Sequence, residues 1–209
     1  MNILIVLKRN GDFLEHYFTN NPNLKSELRK INYRYQNYDF IFISDNGVFS
    51  KDKIDYGSRL LIETLLKTKP NYQNLLDVGC GYGLLGIVLS KVLNIHATLC
   101  DINKRAIHLT EKNIITNQVD AQTILSNIYE NINDKYDLIV TNPPIRAGKE
   151  VVYNILQNAK EHLNKDGELW FVIRKDQGVK SAIKHISENY ICEIIEKSKG
   201  FYIVKAKKR

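Results

Sequence analysis

The sequence LLDVGCGYGLLG, residues 75–86, decides the fold of this chain. It opens with an apolar run typical of a buried strand, passes through closely spaced glycines, and continues into residues that favour a helix. In open α/β sheets, ligands bind at the carboxyl ends of the strands, near the point where the strand order reverses. Glycines at such a point let the backbone approach a ligand where a Cβ atom would collide. The stretch therefore predicts a strand, a ligand-binding loop and a helix within a parallel sheet.

Strand-like and helix-like stretches alternate along most of the chain around this motif. Apolar runs typical of strands lie at residues 75–78, 97–101, 123–126, 137–141, 168–173, 191–196 and 201–205. Apolar residues at helical spacing lie at 58–66, 84–93, 104–117, 150–163 and 179–188. This order predicts a Rossmann-like α/β fold, with a seven-stranded, mostly parallel sheet and helices on both faces. The short turn 197–200 leaves no room for a crossover helix, so the last strand should be antiparallel.

A small antiparallel hairpin is predicted ahead of this sheet. Residues 31–44, INYRYQNYDFIFIS, alternate apolar and polar side chains about a central Gln-Asn pair, as expected of a hairpin with one buried face. The chain has no internal repeat and no linker rich in Gly, Ser or Pro. We therefore expect an N-terminal extension and hairpin over residues 1–56, packed on one compact α/β unit over residues 57–209. The pattern suggests no function for residues 1–14.

The composition indicates a folded globular protein and leaves its partner open. Hydrophobic residues make up 44% of the chain and charged residues 25%, which is ordinary for such proteins. A formal net charge of +7 at pH 7 would steer association with a polyanion such as nucleic acid. The same lysines also serve simply to keep a surface solvated. Charge alone therefore supports nucleic acid binding without deciding it.

No membrane, disulfide or metal role is expected. The apolar run at residues 1–7 is interrupted by Lys8 and Arg9, is too short to span a bilayer, and lacks a small-residue cleavage site. The five histidines are scattered without the spacing of metal ligands. The cysteines are odd in number and widely spaced, which argues against disulfide scaffolding and a zinc site: they are Cys80, Cys100 and Cys192. We therefore expect a cytoplasmic protein.

The glycine-rich loop predicts a ligand that contains a nucleoside. Gly81, Gly83 and Gly86 have the Gly-x-Gly-x-x-Gly spacing, and Asp101 follows at a distance suited to ribose hydroxyls. Asp77, at the end of the first core strand, could accept a hydrogen bond from an ammonium group of the ligand. The alternative is that the glycines only make a tight turn and that Asp101 only caps the helix beginning near residue 104.

The tetrapeptide Asn142-Pro143-Pro144-Ile145, directly after the predicted strand 137–141, points to one kind of chemistry. An exocyclic amine attacks poorly because its lone pair is delocalised into the base. An Asn side-chain oxygen and a proline carbonyl can accept hydrogen bonds from its two N–H groups and so localise that lone pair on the nitrogen. Prolines fix φ and add no competing N–H, so the carbonyls stay in place. The motif therefore predicts methyl transfer to an amino nitrogen, although a Pro-Pro turn capped by Asn142 is the structural alternative.

With these residues in view, the chain resembles class I S-adenosylmethionine-dependent methyltransferases. More narrowly, it is similar to the ribosomal RNA small subunit methyltransferase C family, which makes N2-methylguanine in 16S rRNA. The blocks that carry the resemblance are DNGVFSKDKIDYGSRLLIE, LLDVGCGYGLLGI, NPPIRAGKEVV and GELWFVIRKDQG. Longer members carry a second, degenerate methyltransferase-like domain ahead of the catalytic one, so this chain would be a short, single-domain form. The resemblance implies an RNA (guanine-N2-)-methyltransferase.

The resemblance also implies contacts with the cofactor, S-adenosylmethionine. It places the ribose hydroxyls on Asp101 and the adenine between Ile102 and the pair Asn127 and Ile128. Relatives often carry Asp at the position of Asn127, whose side-chain oxygen can still accept from the adenine amino group, without charge assistance. The full implied set is Phe49, Lys51, Gly57, Ser58, Asp77, Gly79, Cys80, Gly81, Gly83, Asp101, Ile102, Asn127, Ile128 and Asn142.

For the substrate, the resemblance implies direct, in-line methyl transfer without a covalent intermediate, and ribosomal RNA or the small ribosomal subunit as partner of a monomeric enzyme. Single-stranded loops are favoured because a base inside a duplex must first be swung out. Ile145 stands where many relatives carry an aromatic, so it offers little stacking. The implied catalytic residues are Asn142, Pro143, Pro144 and Ile145. Candidate phosphate contacts, each of which could also be an ordinary solvated cation, are Arg146, Lys149, Arg174 and Lys175.

Two rival functions stay open at this point. The Asn-Pro-Pro block also serves methylation of glutamine in release factors and of adenine in nucleic acid, where Tyr or Phe usually follows the prolines. A noncatalytic RNA-binding module with the same fold is the second rival. Such modules typically lose the glycines or the asparagine, which this chain keeps.

Overall fold

The computed structural model describes residues 25–209, so predictions for residues 1–24 lie outside the described residues. The strands are β1 Arg29–Tyr35, β2 Tyr38–Ser44, β3 Asn74–Val78, β4 His96–Asp101, β5 Ala121–Leu125, β6 Tyr136–Thr141, β7 Leu163–Arg174, β8 Tyr190–Ser198 and β9 Phe201–Lys208. The α-helices are α1 Tyr56–Lys67, α2 Leu84–Leu93, α3 Lys104–Asn117, α4 Lys149–Asn158 and α5 Val179–Ile186. Short 3-10 turns lie at Ile145–Ala147, Ala159–His162 and Lys175–Gln177.

The main sheet has seven strands in the order β5-β4-β3-β6-β7-β9-β8. β3 pairs in parallel with β4 on one side and with β6 on the other, so the strand order reverses between β3 and β6. β9 pairs antiparallel with both β7 and β8 and is the reversed strand of this sheet. The predicted fold, including the antiparallel last strand, is confirmed. The reversal point places the loops after β3 and β6 side by side, where ligands bind in such sheets.

Each face of the sheet is covered by its own hydrophobic cluster. Leu75 and Val172 pack with apolar residues of α1, α2 and α3 on one face. Leu76 and Phe171 pack with residues of α4 and α5 on the other. Adjacent residues of one strand enter opposite clusters because successive side chains point to opposite faces. Helices therefore lie on both faces, as predicted, and none of the described helices is long and apolar enough to cross a membrane.

The predicted hairpin forms from β1 and β2 and docks on α3 through two asparagines. The Asn117 side chain accepts from Ile41 N at 3.0 Å and donates to Ile41 O at 2.8 Å. Asn113 makes the same pair of bonds with Ile43, at 2.7 and 2.9 Å. Each amide thus pairs with both backbone groups of a β2 residue, as a neighbouring strand would. The hairpin is therefore held against the helix that follows the ribose-binding candidate Asp101.

The predicted boundary between α4 and β7 differs from the structure. The helix expected over 150–163 ends as α4 at Asn158, continues as a 3-10 turn, and gives way to β7 at Leu163. Leu156, Ala159 and Leu163 keep helical spacing, which is why the pattern predicts a longer helix. Leu163 instead pairs with Tyr136 across a register shift between β6 and β7. Tertiary pairing overrides the local periodicity here.

Candidate active site

The glycine loop after β3 leaves open space at the carboxyl edge of the sheet. Gly79 and Gly81 have φ values of +73° and +59°, and a Cβ on either would meet nothing within 4 Å. They are glycines because of the left-handed backbone rather than crowding. Gly86 differs, because a Cβ there would lie 2.5 Å from Leu99 Cδ2. Gly86 therefore lets α2 pack closely on β4. The loop ends at Gly83, the residue that precedes α2, and it exposes backbone at Gly79 and Gly81.

Asp77 lies buried at the end of β3, and one of its carboxylate oxygens receives no hydrogen bond from the described residues. Its Oδ2 accepts from Gly86 N at 2.8 Å, whereas its buried Oδ1 has no hydrogen-bond partner among residues 25–209. Burial raises the pKa of this carboxyl to about 7, and the nearby Asp101 carboxylate adds to the rise. A buried acceptor without a donor is costly. This site therefore fits a ligand that brings a cationic donor, as the ammonium group of S-adenosylmethionine would.

Asp101, at the end of β4, holds the glycine loop. Its Oδ2 accepts from Gly81 N and its Oδ1 from Asn103 N, both at 2.9 Å. Each carboxylate oxygen keeps capacity for another donor, such as a ribose hydroxyl. Burial raises the pKa of Asp101 despite these bonds. The residue that caps α3 is Asn103, which accepts from Arg105 N at 2.9 Å, so capping is not the role of Asp101.

The candidates for adenine binding lie beside Asp101. Ile102 is 41% exposed. Asn127 follows β5 and donates from Nδ2 to Glu130 Oε1 at 2.7 Å. A carboxylate at neutral pH only accepts, so the amide nitrogen faces Glu130 and the Asn127 oxygen is left to accept from a ligand. Ile128, the next residue, has a φ of 54°.

Asn142 is the first residue after β6, and its amide is held in one orientation. Its Nδ2 donates to Asp55 Oδ2 at 3.0 Å and to Ser58 Oγ at 2.8 Å. Because a carboxylate cannot donate, the NH₂ group must face Asp55. No described residue donates to the Asn142 Oδ1. The side chain therefore presents an acceptor oxygen to anything that enters beside it.

Asp55 is a functional candidate that the sequence patterns did not indicate. It is the N-cap residue of α1, where its Oδ2 accepts from Ser58 N at 2.8 Å. Gly57 lies between them, and a Cβ at Gly57 would come within 3.1 Å of Asp55 Oδ2. Gly57 and Ser58, expected to contact the cofactor, thus lie in the segment that positions Asn142. An Asp three residues before a Ser at a helix start predicts an N-cap, but it does not predict the hydrogen bond from Asn142.

The prolines after Asn142 lie at the point where β3 and β6 are tied together. Thr141 Oγ1 donates to Val78 O at 2.8 Å, so Asn142 and Gly79 leave their strands side by side. The Pro144 carbonyl accepts from Ala147 N at 2.9 Å, while no described backbone group donates to the Pro143 carbonyl. Asn142 Oδ1 and Pro143 O are therefore two acceptors next to the open glycine loop.

The loop between β2 and α1 reaches the cofactor side of this edge. Asn103 Nδ2 donates to Gly47 O at 2.9 Å. Within the loop, Lys51 Nζ donates to Asn46 Oδ1 at 2.8 Å, and Phe49 is 38% exposed. The loop that carries Phe49 and Lys51 is therefore joined to the turn after Asp101.

The remaining predicted residues lie around the same edge. Ile145 is half-buried and begins the 3-10 turn after the prolines. Cys80 is buried, and burial raises the pKa of its thiol well above the usual value, which makes it a poor nucleophile. Within residues 25–209, no group of His, Cys, Asp or Glu side chains could hold a metal ion. The candidate phosphate contacts are exposed, namely Arg146, Lys149, Arg174 and Lys175.

Comparisons with known proteins identify relatives of this chain. A family profile described as the methyltransferase small domain matches residues 39–205. An uncharacterized protein, YbxB of Bacillus subtilis strain 168, is 43% identical over 202 residues, covering 93% of this chain and 98% of that protein. The ribosomal RNA small subunit methyltransferase C of Vibrio parahaemolyticus is 36% identical over 168 residues. That match covers 78% of this chain and 48% of the Vibrio protein, so the chain spans about half the length of this named relative.

A solved structure has the same fold. A 16S rRNA N2 guanine methyltransferase of T. thermophilus, in complex with AdoMet and guanosine, superposes with a TM-score of 0.80 at 24% identity. The match covers 90% of this chain and 52% of that one. The open glycine loop, the Asp77 oxygen that has no partner within residues 25–209, and the Asp101 carboxylate fit the expected cofactor. The chain therefore belongs to the methyltransferase small domain family, and the residues of its site fit S-adenosylmethionine as the methyl donor.

Proposed function

We propose that this chain transfers a methyl group to the exocyclic N2 amine of a guanine in small-subunit (16S) ribosomal RNA. The observation that carries the proposal is the fixed amide of Asn142, which keeps its acceptor oxygen beside the cofactor loop. Relatives named ribosomal RNA small subunit methyltransferase C support the choice of substrate. Because the chain spans 48% or less of these relatives, the activity of the longer proteins enters here as a proposal.

The chain's own residues would prepare the amine for attack. S-adenosylmethionine, when bound, supplies a methyl group on a positively charged sulfur. Asn142 Oδ1 and Pro143 O would accept hydrogen bonds from the two N–H groups of the guanine amine, which turns its lone pair toward that methyl group. The nitrogen–carbon bond would replace the carbon–sulfur bond, and the amine would release one proton to solvent. Asp55 and Ser58 keep the Asn142 amide from rotating. Preorganised acceptors of this kind lower the barrier because they need no rearrangement as charge develops.

The remaining assignments are part of the same proposal. The cofactor would lie along Asp77, Gly79 and Gly81, with its ribose on Asp101. The adenine would lie between Ile102 and the pair Asn127 and Ile128, under the loop of Phe49 and Lys51. Phosphate contacts would come from Arg146, Lys149, Arg174 and Lys175. The division into residues 1–56 and 57–209, the monomeric state and the cytoplasmic location remain predictions.

The methyl acceptor can be identified directly. Purified protein is incubated with radiolabelled S-adenosylmethionine and, separately, with undermodified small subunits, deproteinised 16S rRNA and a release factor, and the products are digested to nucleosides or amino acids. The proposal expects label in N2-methylguanosine from one of the RNA substrates. Label in adenine or glutamine would replace this proposal with one of those acceptors. No transfer, together with no cofactor binding by calorimetry, would indicate a noncatalytic RNA-binding module.

A further inference from the structure

Two aromatic rings meet beside the active site. Tyr56 begins α1, directly after Asp55, and Phe201 begins β9; their ring centroids lie 5.6 Å apart. The Tyr56 hydroxyl and Ser198 Oγ lie 2.7 Å apart, within hydrogen-bond distance. The start of α1 is therefore tied to the turn between β8 and β9.

Cations lie over both rings. The Arg59 guanidinium carbon lies 5.4 Å from the Tyr56 centroid, and Lys199 Nζ lies 4.9 Å from the same centroid. The Arg174 guanidinium carbon lies 5.5 Å from the Phe201 centroid. Each contact holds its cation over the ring, because the ring face carries partial negative charge. We call Tyr56, Arg59, Arg174, Lys199 and Phe201 the aromatic-cation surface.

The cations of this surface are weakly neutralised. Arg59 pairs with Glu63 at 3.7 Å and Arg174 with Asp176 at 3.0 Å, with both partners of each pair exposed. Exposed pairs of this kind are weak because water screens both charges, so a phosphate can displace the carboxylate. Lys199 forms no ion pair within the described part of the chain. An exposed cation at any one of these positions needs no explanation beyond solvation of the surface. Solvation does not explain why three cations lie over two rings that touch each other.

The surface lies next to Asn142. Arg174 ends β7, which pairs with β6 in the sheet, and Thr141 pairs with Phe171 one residue before Asn142. Neighbouring strands lie about 4.8 Å apart. Lys175 N donates to Gly200 O at 2.8 Å, which holds the end of β7 to the β8–β9 turn. The phosphates that flank a base placed at Asn142 are therefore within reach of the aromatic-cation surface.

We propose that the aromatic-cation surface binds the phosphates of single-stranded RNA that flanks the target guanine, an inference that rests on the proposed function above. The guanidinium fork of an arginine fits a phosphate with two hydrogen bonds. Rings that already orient the cations reduce the entropy lost on binding. Cations cover the rings, so the surface contacts the RNA backbone instead of stacking on bases. It would fix the register of the strand without reading its sequence.

The test removes the three charges and keeps their side-chain length. The triple variant Arg59→Gln, Arg174→Gln, Lys199→Gln is compared with the control Lys69→Gln, Lys135→Gln, Lys165→Gln. The control loses the same charge from exposed lysines near the amino ends of the core strands. Affinity for a deproteinised 16S rRNA fragment is measured over a series of KCl concentrations. Affinity for S-adenosylmethionine and thermal stability are measured alongside.

The surface variant should bind the RNA on the order of 10-fold or more weakly at about 0.1 M salt than wild type or control. The slope of log K against log salt should become less negative by about 2, since each single-strand phosphate contact contributes about 0.7. Cofactor affinity should stay at the wild-type value, whereas thermal stability should fall modestly because the three cation–π contacts are lost. Lys199→Gln alone, at an exposed turn position, should change the slope by about 0.7.

Two results would overturn the proposal separately from the function. A surface variant whose salt slope matches the control would mean that the surface does not contact phosphates. A slope unchanged in Lys199→Gln, with the triple variant unstable, would assign these residues a structural role only. If the wild type neither binds nor methylates the RNA, the proposed function fails and this inference fails with it.

Discussion

Asn142 and Asp55 form a hydrogen bond of 3.0 Å that fixes which atom of the Asn142 amide faces the active site. Asp55 Oδ2 also caps α1 by accepting from Ser58 N. One carboxylate oxygen thus connects the start of a helix with the residue proposed to bind the methyl acceptor. Because the carboxylate can only accept, the amide cannot flip without leaving an NH₂ group against the substrate amine.

Asp55→Asn should separate these two roles. Asn is as good an N-cap as Asp, so the free energy of unfolding should change little. The new amide can donate as well as accept, so the orientation of Asn142 is no longer enforced, and kcat should fall about tenfold or more. Thermal unfolding and steady-state kinetics at saturating cofactor measure both effects. A wild-type kcat in Asp55→Asn would mean that Asp55 acts only as a cap. Asp55→Ala serves as the comparison, because it loses both the cap and the hydrogen bond to Asn142.

Asn142→Ala removes the acceptor itself. Turnover should fall on the order of 100-fold or more because a preorganised acceptor is lost from the transition state. The affinity for S-adenosylmethionine should stay nearly unchanged. Single-turnover methylation and calorimetry report the two quantities independently. A variant that loses cofactor affinity while keeping its turnover would assign Asn142 to the cofactor site instead.

Asp101→Ala should show the opposite pattern. Asp101 is proposed to bind the ribose hydroxyls and also holds Gly81 in the loop. Loss of the carboxylate should weaken cofactor binding on the order of 10-fold or more, since charged hydrogen bonds contribute about 1.5–3 kcal/mol. With saturating cofactor, turnover should recover substantially. Unchanged cofactor affinity, measured by calorimetry, would remove Asp101 from the ribose site.

The buried Asp77 predicts a pH dependence of stability in the absence of cofactor. Its pKa in the folded protein is about 7, against an ordinary value of 3.8. Between these two pH values the folded protein keeps a proton on Asp77 that the unfolded chain has released. The contribution of Asp77 to the free energy of unfolding is therefore fully present at low pH and is lost as the pH rises. The loss amounts to as much as about 1.4 kcal/mol per pH unit within that window.

Asp77→Asn supplies the control for that measurement. The variant keeps an acceptor for Gly86 N but does not titrate. Urea unfolding from about pH 4 to about pH 7 should give a difference, wild type minus variant, that declines steadily as the pH rises. Parallel curves for the two proteins would show that Asp77 does not carry the raised pKa.

The sequence predicts those parts of the molecule whose signals are local. The glycine loop and the Asn-Pro-Pro segment each lie directly after an apolar strand, so the strand order alone brings them together. Asp55 could not be predicted in the same way, because it lies 87 positions from Asn142 and its local pattern indicates only a cap. The aromatic-cation surface likewise forms only when β9 returns beside β7. The predicted end of the helix at Leu163 is wrong because apolar residues at helical spacing continue into the first residue of β7.

The central claim is tested most directly in cells of the source organism that lack this chain. Small-subunit rRNA from these cells, and from cells complemented with wild type or Asn142→Ala, is digested and analysed by nucleoside mass spectrometry. The account predicts that one N2-methylguanosine is absent without the protein, returns with wild type, and does not return with the variant. An unchanged content of N2-methylguanosine in all four samples, including the parent strain, would contradict it.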